Sequence, residues 1–267
     1  MKRTSVSRMA LYSDLGRVRQ ALSRPGWTLE DAETFAHMHY LGAEALDHAA
    51  EKLGLAAGQV ILDLGSGFGG TGRYLHAHYG CAAVGIELQR PIAAVAETLN
   101  AEYNARCGRQ AVMTIVGDFL KVPWRRQFAH AISLLAILHV PLPRRERLWQ
   151  KLRRHLLPGG RIYIEDFFQR HEFSAPEEDA LDRIVSCPGL PTKGAYAAAL
   201  EKAGFDVEFE DVSVLWTDFV RARAEAYGKT EAPSPGLLLF YQTMSGLFQG
   251  KNLGGAKITA TKGGNQP

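Results

Sequence analysis

The sequence predicts an α/β fold in which a mostly parallel sheet carries helices on both faces. Between Val60 and Phe167, short apolar segments alternate with helical segments, as in sheets built from strand–helix–strand units. A glycine-rich loop follows the first strand, and Asp63, Glu87 and Asp118 stand at the ends of the first three strands. The carboxyl ends of parallel strands meet at one edge, so the sequence predicts a ligand site there.

Length and composition agree with this fold class. The chain has 267 residues, of which 46% are hydrophobic and 22% charged, so it is expected to be one elaborated globular domain. The net charge of +3 is too small to indicate nucleic-acid binding, and no apolar run approaches the ~20 residues that a membrane span needs. Cys81, Cys107 and Cys187 form no CxxC pair, which favours a reducing compartment. We therefore expect a cytoplasmic monomer or homodimer whose partner is a small molecule, with neither a nucleic-acid partner nor a membrane span.

The N-terminal part is predicted to be helical. Residues 1–22 carry five basic residues against one acid and have apolar residues near helical spacing. An amphipathic helix is favoured, and an organelle transit segment at residues 1–22 is the alternative. A second helix is expected after Thr28, an N-cap residue with Asp31 three positions later, and a third over Ala43–Leu53. We predict residues 1–54 as an N-terminal helical lid region and 55–267 as the main domain, together one structural unit.

Seven strands and six helices are predicted beyond residue 55. Proline opens the helix at Pro91, and Pro158-Gly159-Gly160 ends the helix before the fifth strand. Residues 169–191 are rich in loop residues and are expected to form a substrate-side cap insertion. The predicted strands are 60–64, 82–86, 112–116, 128–135, 161–167, 205–214 and 256–260, and the predicted helices are 71–78, 91–106, 144–157, 195–203, 216–227 and 237–248.

The glycine-rich loop indicates a nucleotide-bearing cofactor. Gly65, Gly67 and Gly70 satisfy G-x-G-x-x-G, and Glu87 lies 20 residues after Gly67, where it can accept both ribose hydroxyls. Spacing alone leaves an NAD site open. Asp63, immediately before the turn, would repel a pyrophosphate but attract the ammonium group of S-adenosylmethionine. Asp118 can accept a hydrogen bond from an adenine amino group, with Phe119 beside the ring, which also favours S-adenosylmethionine.

Residues 58–167 resemble class I S-adenosylmethionine-dependent methyltransferases. The resemblance is carried by Val60-Ile61-Leu62-Asp63-Leu64-Gly65-Ser66-Gly67 and by Leu156-Leu157-Pro158-Gly159-Gly160 before the fifth strand. It implies a Rossmann-like seven-stranded fold, S-adenosyl-L-methionine as cofactor, S-adenosyl-L-homocysteine as product, and no metal. The cofactor-binding residues it implies are Tyr40, Asp63, Gly65, Ser66, Gly67, Gly69, Glu87, Leu88, Asp118, Phe119 and Leu134.

A narrower resemblance is to the phosphoethanolamine and sarcosine/dimethylglycine N-methyltransferases. It is carried by residues 62–70, by Ala136-Ile137-Leu138-His139 and by residues 157–160. The family pattern Asp-Ala-Ile-Leu-His places its histidine on His139, which implies a catalytic role, and its aspartate on Leu135. Since that aspartate lies near the substrate amine, Leu135 indicates an acceptor that is bulkier or less charged than phosphoethanolamine or glycine.

Five residues are predicted to contact the acceptor. Trp27 stands where the resembling family has a tyrosine at the start of its N-terminal helix, and His39 precedes the cofactor candidate Tyr40. Leu135 replaces the family aspartate. Phe167 and Phe168 follow the fifth strand, where substrate loops usually rise.

The predicted function is transfer of a methyl group to a small-molecule acceptor, preferably an amine nitrogen, by in-line displacement. A histidine with an ordinary pKa of about 6.5 is suited to take or relay the nucleophile's proton. The alternative within this class is an O-, S- or C-methyltransferase of a natural-product or lipid-derived acceptor. From another class, the chain could be a catalytically inactive, cofactor-binding regulatory protein.

Overall fold

The computed structural model describes residues 15–31 and 39–264, and a seven-stranded sheet forms their centre. Neighbouring strands follow the order third, second, first, fourth, fifth, seventh, sixth, and only the seventh runs antiparallel to its neighbours. The predicted fold class is therefore confirmed. The strands are β1 Val60–Leu64, β2 Ala82–Glu87, β3 Val112–Val116, β4 Phe128–Leu134, β5 Leu156–Gln169, β6 Phe205–Asp211 and β7 Leu253–Lys262.

Helices cover both faces of this sheet. They are α1 Leu15–Ser23, α2 Ala43–Leu53, α3 Gly70–Tyr79, α4 Arg90–Cys107, α5 Leu142–His155, α6 Ala175–Ala180, α7 Lys193–Lys202, α8 Ser213–Gly228 and α9 Pro235–Gln249. One face packs against apolar residues of α2 and α3, and the other packs against α5 and α7. A 3₁₀ turn, Ile137–His139, follows β4, and a π turn, Leu181–Val185, follows α6.

Alternation along β1 explains the position of the first acid. Leu62 and Leu64 point into the core under α5 and α7, and Ile61 points into the core under α2 and α3. Since successive side chains of a strand point to opposite faces, Asp63 shares the α2 face with Ile61. Its carboxylate therefore lies on the face of the sheet that α2 and α3 cover.

Strand β5 is longer than the predicted strand 161–167. It begins at Leu156, which pairs with Phe128 across an irregularity, and it ends at Gln169, which pairs with Leu253. The predicted α-helix end at residue 157 is accordingly wrong, because α5 ends at His155. The helix-breaking sequence Pro158-Gly159-Gly160 therefore does not mark the start of the strand, because pairing with β4 and β7 decides the extent of β5.

Strand β6 is shorter than the predicted strand 205–214. The side chain of Asp211 accepts hydrogen bonds from the backbone N–H and the hydroxyl of Ser213, and α8 begins at that serine. Such a local side-chain bond stabilises a turn in place of continued strand.

Two segments cover the carboxyl end of β4 and β5. Residues 169–191 contain helix α6 and the π turn, so they have more regular structure than the predicted loop. Helices α8 and α9, which lie between β6 and β7, pack with Leu135 and Phe167 in one apolar cluster. The sequence predicted both helices but did not predict that they join this cover.

The N-terminal residues pack beside the glycine loop. Val18 and Trp27 lie in a cluster with Phe68 of the loop and Ile92 of α4. Thr28 caps the following turn as predicted, because its side chain and the side chain of Asp31 bond each other's backbone N–H groups. The predictions for residues 1–14 and 32–38 lie outside the described residues. Within residues 15–31 and 39–264, no helix has the length and apolar character that crossing a membrane requires.

Candidate active site

The glycine loop between β1 and α3 lies against the end of β2. The backbone N–H groups of Gly65 and Ser66 donate to the carbonyl of Ile86 over 2.9 and 3.2 Å. Gly65 has a positive φ of 78°, and a Cβ at this position would collide with the Cβ of Ala136. Glycine is therefore required both by the backbone conformation and by the close approach of the segment after β4.

Glu87 connects this loop to β2. One carboxylate oxygen accepts from the N–H of Gly67 over 3.0 Å, and the other accepts from the N–H of Gln89 over 2.7 Å. Burial raises the pKa of the Glu87 carboxyl. The side chain is thus fixed at the edge of the cavity described below, where it can receive hydroxyl donors from a ligand.

Asp63 provides a buried negative charge beside the loop. It is 3% exposed, and among the described residues its Oδ2 atom has no hydrogen-bond partner. Burial, together with the neighbouring Glu87 charge, raises the pKa of Asp63 to about 7. A buried carboxylate oxygen without a donor favours a cationic, hydrogen-bonding ligand group, since such a group would satisfy the oxygen and lower this pKa.

Asp118 is held at the end of β3 by two contacts. Its Oδ1 accepts from the N–H of Leu120 over 2.8 Å, and its Oδ2 pairs with Arg144 of α5 at 3.0 Å. Lys151 of α5 donates to the carbonyl of Phe119 over 2.8 Å and thereby fixes the same loop. Arg144 could not be predicted as a partner of Asp118, because the two residues lie 26 positions apart in the chain.

A cavity of about 330 Å³ joins Glu87 and Asp118 to the segment after β4, and Asp63 is not part of its wall. Its wall contains nine residues that the sequence predicted, namely Gly65, Gly67, Glu87, Leu88, Asp118, Phe119, Leu134, Leu135 and His139. It also contains residues that the prediction omitted, among them Ile86, Gln89, Ile92, Val140, Pro141 and Arg144. Ile86, Gln89 and Val140 each adjoin a predicted residue in sequence. Ile92 and Arg144, in contrast, come from the first turns of α4 and α5.

His139 lines this cavity from the 3₁₀ turn after β4. Its Nδ1 lies 3.0 Å from the carbonyl oxygen of Ser186. Ser186 belongs to residues 169–191, which we call the cover segment. A carbonyl only accepts, so Nδ1 carries the proton and Nε2 is the acceptor nitrogen. Burial lowers the pKa of His139 to about 4, and the charge of Arg145 acts in the same direction. The imidazole is therefore neutral at physiological pH.

Leu135 separates the cavity from an aromatic cluster. We define the aromatic cluster as Tyr40, Phe167, Trp216, Phe219 and Phe248, whose ring centroids lie 5.0–6.4 Å apart in contacting pairs. Leu135, Tyr40 and Phe167 also line a narrow void beneath α8 and α9. Leu135 has a φ of 54°, an uncommon left-handed conformation for a non-glycine residue. The structure thus brings Tyr40 and Phe167 behind the cavity wall, with Leu135 as the only predicted residue common to both linings.

The remaining predicted residues lie outside the cavity wall. Asp63 at the end of β1 and Ser66 and Gly69 of the glycine loop are not part of the lining. His39 is buried next to Tyr40, and its Nδ1 lies 3.0 Å from the Tyr40 carbonyl oxygen. Trp27 packs on the Phe68 side of the loop. Phe168 points to the opposite face of β5 from Phe167 and stacks edge-on against Phe209 at 5.3 Å, so the structure does not bring it to the cavity.

Possible metal ligands are not clustered in the part of the chain that the structure describes. No group of three or more histidine, cysteine, aspartate or glutamate side chains is close enough there to hold an ion. The donor set around the cavity consists of carboxylates that already accept backbone hydrogen bonds. The cavity chemistry is therefore that of hydrogen bonding and charge pairing.

The strand order and the cavity at the carboxyl edge of the sheet are those of a class I methyltransferase fold, and comparison with known proteins gives the same fold class. Residues 61–160 match the family described as methyltransferase domain. The fold matches that of a mycolic acid cyclopropane synthase solved with S-adenosylhomocysteine and CTAB, with a TM-score of 0.77. That structure is 17% identical, and the match covers 97% of both chains.

Two groups of curated relatives differ in the atom they methylate. The chain is 26% identical over 167 residues to 24-methylenesterol C-methyltransferase 3 of Arabidopsis thaliana, covering 60% of this chain and 45% of the relative. It is 29% identical over 165 residues to phosphoethanolamine N-methyltransferase 1 of Zea mays, covering 61% and 31%. The chain thus spans less than half the length of these relatives. The predicted resemblance to the N-methyltransferase group is confirmed, and the sterol relatives belong with the alternative of a C-methyltransferase of a lipid-derived acceptor.

Proposed function

We propose that the protein is an S-adenosylmethionine-dependent methyltransferase of a small, uncharged acceptor with an apolar body. The observation that carries the proposal is the continuous cavity from Glu87 and Asp118 to His139, closed at the acceptor end by Leu135. Carboxylates occupy the half of the cavity that fits the cofactor. At the other end the described lining is apolar apart from His139.

The proposed cofactor fits the first half of the cavity. When bound, it supplies an electrophilic methyl group on a sulfonium. Glu87 would accept the ribose hydroxyls and Asp118 would accept the adenine amino group. The Oδ2 atom of Asp63, which lies beside the glycine loop but is not part of the cavity wall, would accept the methionine ammonium group. The last contact supports the assignment best, because it satisfies a carboxylate oxygen that is otherwise buried without a donor.

His139 is proposed to orient the nucleophile. Its Nε2 accepts a hydrogen bond from the acceptor N–H, which directs the nitrogen lone pair toward the methyl carbon. On transfer of the methyl group from the sulfonium to nitrogen, positive charge would develop on nitrogen, and the neutral imidazole of His139 would stabilise it. The proton leaves the methylated nitrogen through Nε2.

The pKa of about 4 at His139 narrows the kind of amine. A histidine this weakly basic does not deprotonate an alkylammonium ion, and the described cavity wall places no carboxylate beside His139 to hold one. A weakly basic amine, such as an aromatic amine, arrives uncharged and loses its proton readily after methylation. We therefore infer an aromatic or similarly weakly basic amine as the acceptor.

A carbon acceptor is the second candidate, favoured by the aromatic cluster behind Leu135. Methyl addition to an alkene carbon leaves positive charge on the neighbouring carbon until a proton is lost. Aromatic faces stabilise such charge, and Tyr40 and Phe167 lie one residue layer from the cavity. The similarity to a sterol C-methyltransferase supports this candidate as well.

The test is methyl transfer from methyl-labelled S-adenosylmethionine to a panel of acceptors. The panel contains aromatic amines, phenols, thioethers, an isoprenoid alkene, phosphoethanolamine, glycine, sarcosine and dimethylglycine, and S-adenosylhomocysteine binding is measured by calorimetry in parallel. We expect label in an aromatic amine and little in the charged amines. Fastest turnover of a charged aliphatic amine would refute the apolar acceptor. Binding of S-adenosylhomocysteine without any turnover would favour the inactive cofactor-binding protein.

A further inference from the structure

A buried ion pair lies directly beneath the turn that carries His139. Arg145 is 4% exposed and Asp166 is fully buried, and the Nη1 atom of the arginine lies 3.7 Å from Oδ2 of the aspartate. Neither side chain lines the cavity between Glu87 and His139. Burying two charges is costly in free energy, so a pair in this position calls for an explanation beyond stability.

Each member of the pair holds backbone next to His139. Arg145 donates from Nε to the carbonyl of Val140, the residue after His139, over 2.9 Å. Asp166 accepts a hydrogen bond from the backbone N–H of Leu138, the residue before His139. The two charged side chains therefore bind the backbone on both sides of the histidine.

Asp166 is fixed by further contacts. Its Oδ1 accepts from the N–H of Phe167 over 2.9 Å, and its Oδ2 accepts from the hydroxyl of Tyr196 over 2.8 Å. The guanidinium of Arg145 also lies over the Tyr196 ring, 5.6 Å from its centroid. Helix α5, strand β5 and helix α7 each contribute one residue, so the pair is anchored in the rigid part of the domain.

We propose that Arg145 and Asp166 are positioning residues that set the orientation and the tautomer of His139. Holding residues 138 and 140 aims the imidazole so that Nδ1 meets the carbonyl of Ser186 and Nε2 is the acceptor nitrogen on the cavity side. The catalytic meaning of this inference rests on the proposed function of His139. The structural claim does not, because the state of the imidazole can be measured without an acceptor.

The test is long-range ¹H–¹⁵N spectroscopy of histidine-labelled protein bound to S-adenosylhomocysteine, with the His139 signal assigned by its loss in His139→Gln. In the wild-type protein we expect a single neutral tautomer protonated at Nδ1. In Arg145→Met and in Asp166→Asn we expect loss of that single signal and a mixture of the two tautomers. Arg147→Met is the matched control, because it removes a charge from an exposed position of the same helix and should leave the signal unchanged.

Two more variants cover the case in which a single substitution prevents folding. Arg145→Met/Asp166→Asn removes both charges together, and Tyr196→Phe removes only one hydrogen bond to Asp166; circular dichroism and S-adenosylhomocysteine binding identify the folded variants. A folded variant without the ion pair that keeps the single Nδ1-protonated signal would overturn the proposal.

Measurements of turnover distinguish a failure of the positioning role of Arg145 from a failure of the proposed role of His139. With an acceptor from the panel, we expect kcat to fall roughly 10- to 100-fold in Arg145→Met, with little change in cofactor affinity. The same substitution should cause almost no additional loss in a His139→Ala background, because Arg145 acts through that histidine. If His139→Ala by itself leaves turnover intact, the proposed role of His139 fails, whereas the spectroscopic result for the ion pair still stands or falls independently.

Discussion

Single side chains decide the chemistry of this cavity through burial. Asp63 is buried and His139 is half-buried. In each case desolvation favours the neutral form, so the pKa of the aspartate rises to about 7 and that of the histidine falls to about 4. The aspartate thereby responds to the arrival of a cation, and the histidine is kept as a neutral acceptor. The residue types could be predicted from the sequence, but these shifts depend on what surrounds each side chain.

Asp63 predicts a pH-dependent cofactor affinity. Its pKa in the ligand-free protein is about 7, so protonation below that pH removes the charge that attracts the ammonium group. We expect S-adenosylhomocysteine to bind about tenfold more weakly per pH unit below 7, as measured by calorimetry from pH 5.5 to 8.5. Asp63→Asn should bind at least about tenfold more weakly at pH 8 and show a flatter profile. Asp182→Asn, in the exposed cover segment, is the control, and equal affinity of Asp63→Asn and the wild-type protein would contradict the assignment.

His139 predicts a loss of turnover without a loss of cofactor binding. Removing a group that orients and accepts a proton from the nucleophile typically lowers kcat by about 10²-fold or more. We expect this for His139→Ala with the best acceptor of the panel, while the Kd for S-adenosylhomocysteine stays unchanged. His171→Ala, at an exposed position, should behave as the wild-type protein. Turnover of His139→Ala within about threefold of wild type would exclude the catalytic role.

Leu135 predicts a change of acceptor. An aspartate at this position tolerates the left-handed φ of 54° better than leucine and places a carboxylate at the cavity wall near His139. We expect Leu135→Asp to gain methyl transfer to sarcosine or phosphoethanolamine and to lose transfer to the apolar acceptor. Leu135→Asn supplies the same shape without the charge and should gain neither charged amine. The measurement is the ratio of kcat/KM values for the two acceptor types.

At the scale of elements, the cover segment after β5 determines the environment of His139. Helix α6 begins with a capping box in which Ser174 and Glu177 bond each other's backbone, and the Glu177 carboxylate also accepts from Asn252 just before β7 at 3.0 and 3.1 Å. The cover segment is therefore fastened to the sheet at one end. Its other end supplies the Ser186 carbonyl to His139.

The hydrogen bonds of Glu177 predict that this side chain stabilises the cover segment. Glu177→Ala removes the capping box and both bonds to Asn252, which should lower the free energy of unfolding by about 1–2 kcal/mol and Tm by a few degrees. Hydrogen exchange should rise over residues 174–186 and stay unchanged in β1 and β4. Glu178→Ala is the matched control, since that exposed neighbour has no side-chain bond in the described structure. Equal hydrogen-exchange rates over residues 174–186 in Glu177→Ala and Glu178→Ala would show that Glu177 does not hold the segment in place.

At the scale of the whole molecule, the polar side chains buried in the sheet make stability depend on pH. Glu165 is fully buried beside Tyr163, whose hydroxyl donates to it over 2.9 Å, and Lys257 lies opposite on β7. Burial raises the pKa of Glu165 to about 7 despite the lysine. The folded state therefore holds a proton that the unfolded chain releases above about pH 4.5.

The raised pKa of Glu165 predicts that the free energy of unfolding falls as pH rises. A raised carboxyl pKa contributes stability at low pH that is lost as pH rises through 7, and ionising Glu165 in the folded state costs up to about 3 kcal/mol. Glu165→Gln, which cannot ionise, should raise Tm at pH 8.5 and lose this advantage near pH 5, as measured by thermal unfolding. Glu208→Gln, at an exposed position on β6, should show no such pH dependence. A Glu165→Gln variant less stable at pH 8.5 would show that the charge is stabilised by Lys257.

Local sequence patterns were enough to predict the sheet, its mostly parallel character and the carboxylate-lined part of the cavity. These features depend on local patterns: alternating strands and helices, a glycine loop that only glycine can form, and acids at successive strand ends. The carboxyl ends of parallel strands must lie at one edge, so residues far apart in the chain could be placed together without a structure.

The surroundings of Leu135 and His139, by contrast, follow from tertiary contacts and could not be predicted. Phe167 and Phe168 are adjacent in sequence and equally apolar, yet strand alternation sends one toward the aromatic cluster and the other into the opposite core. The roles of Ser186, Arg145 and Asp166 around His139, and the participation of α8 and α9 in the cover, depend on contacts between elements distant in sequence. Such contacts have no local pattern, because they arise from how the finished elements pack.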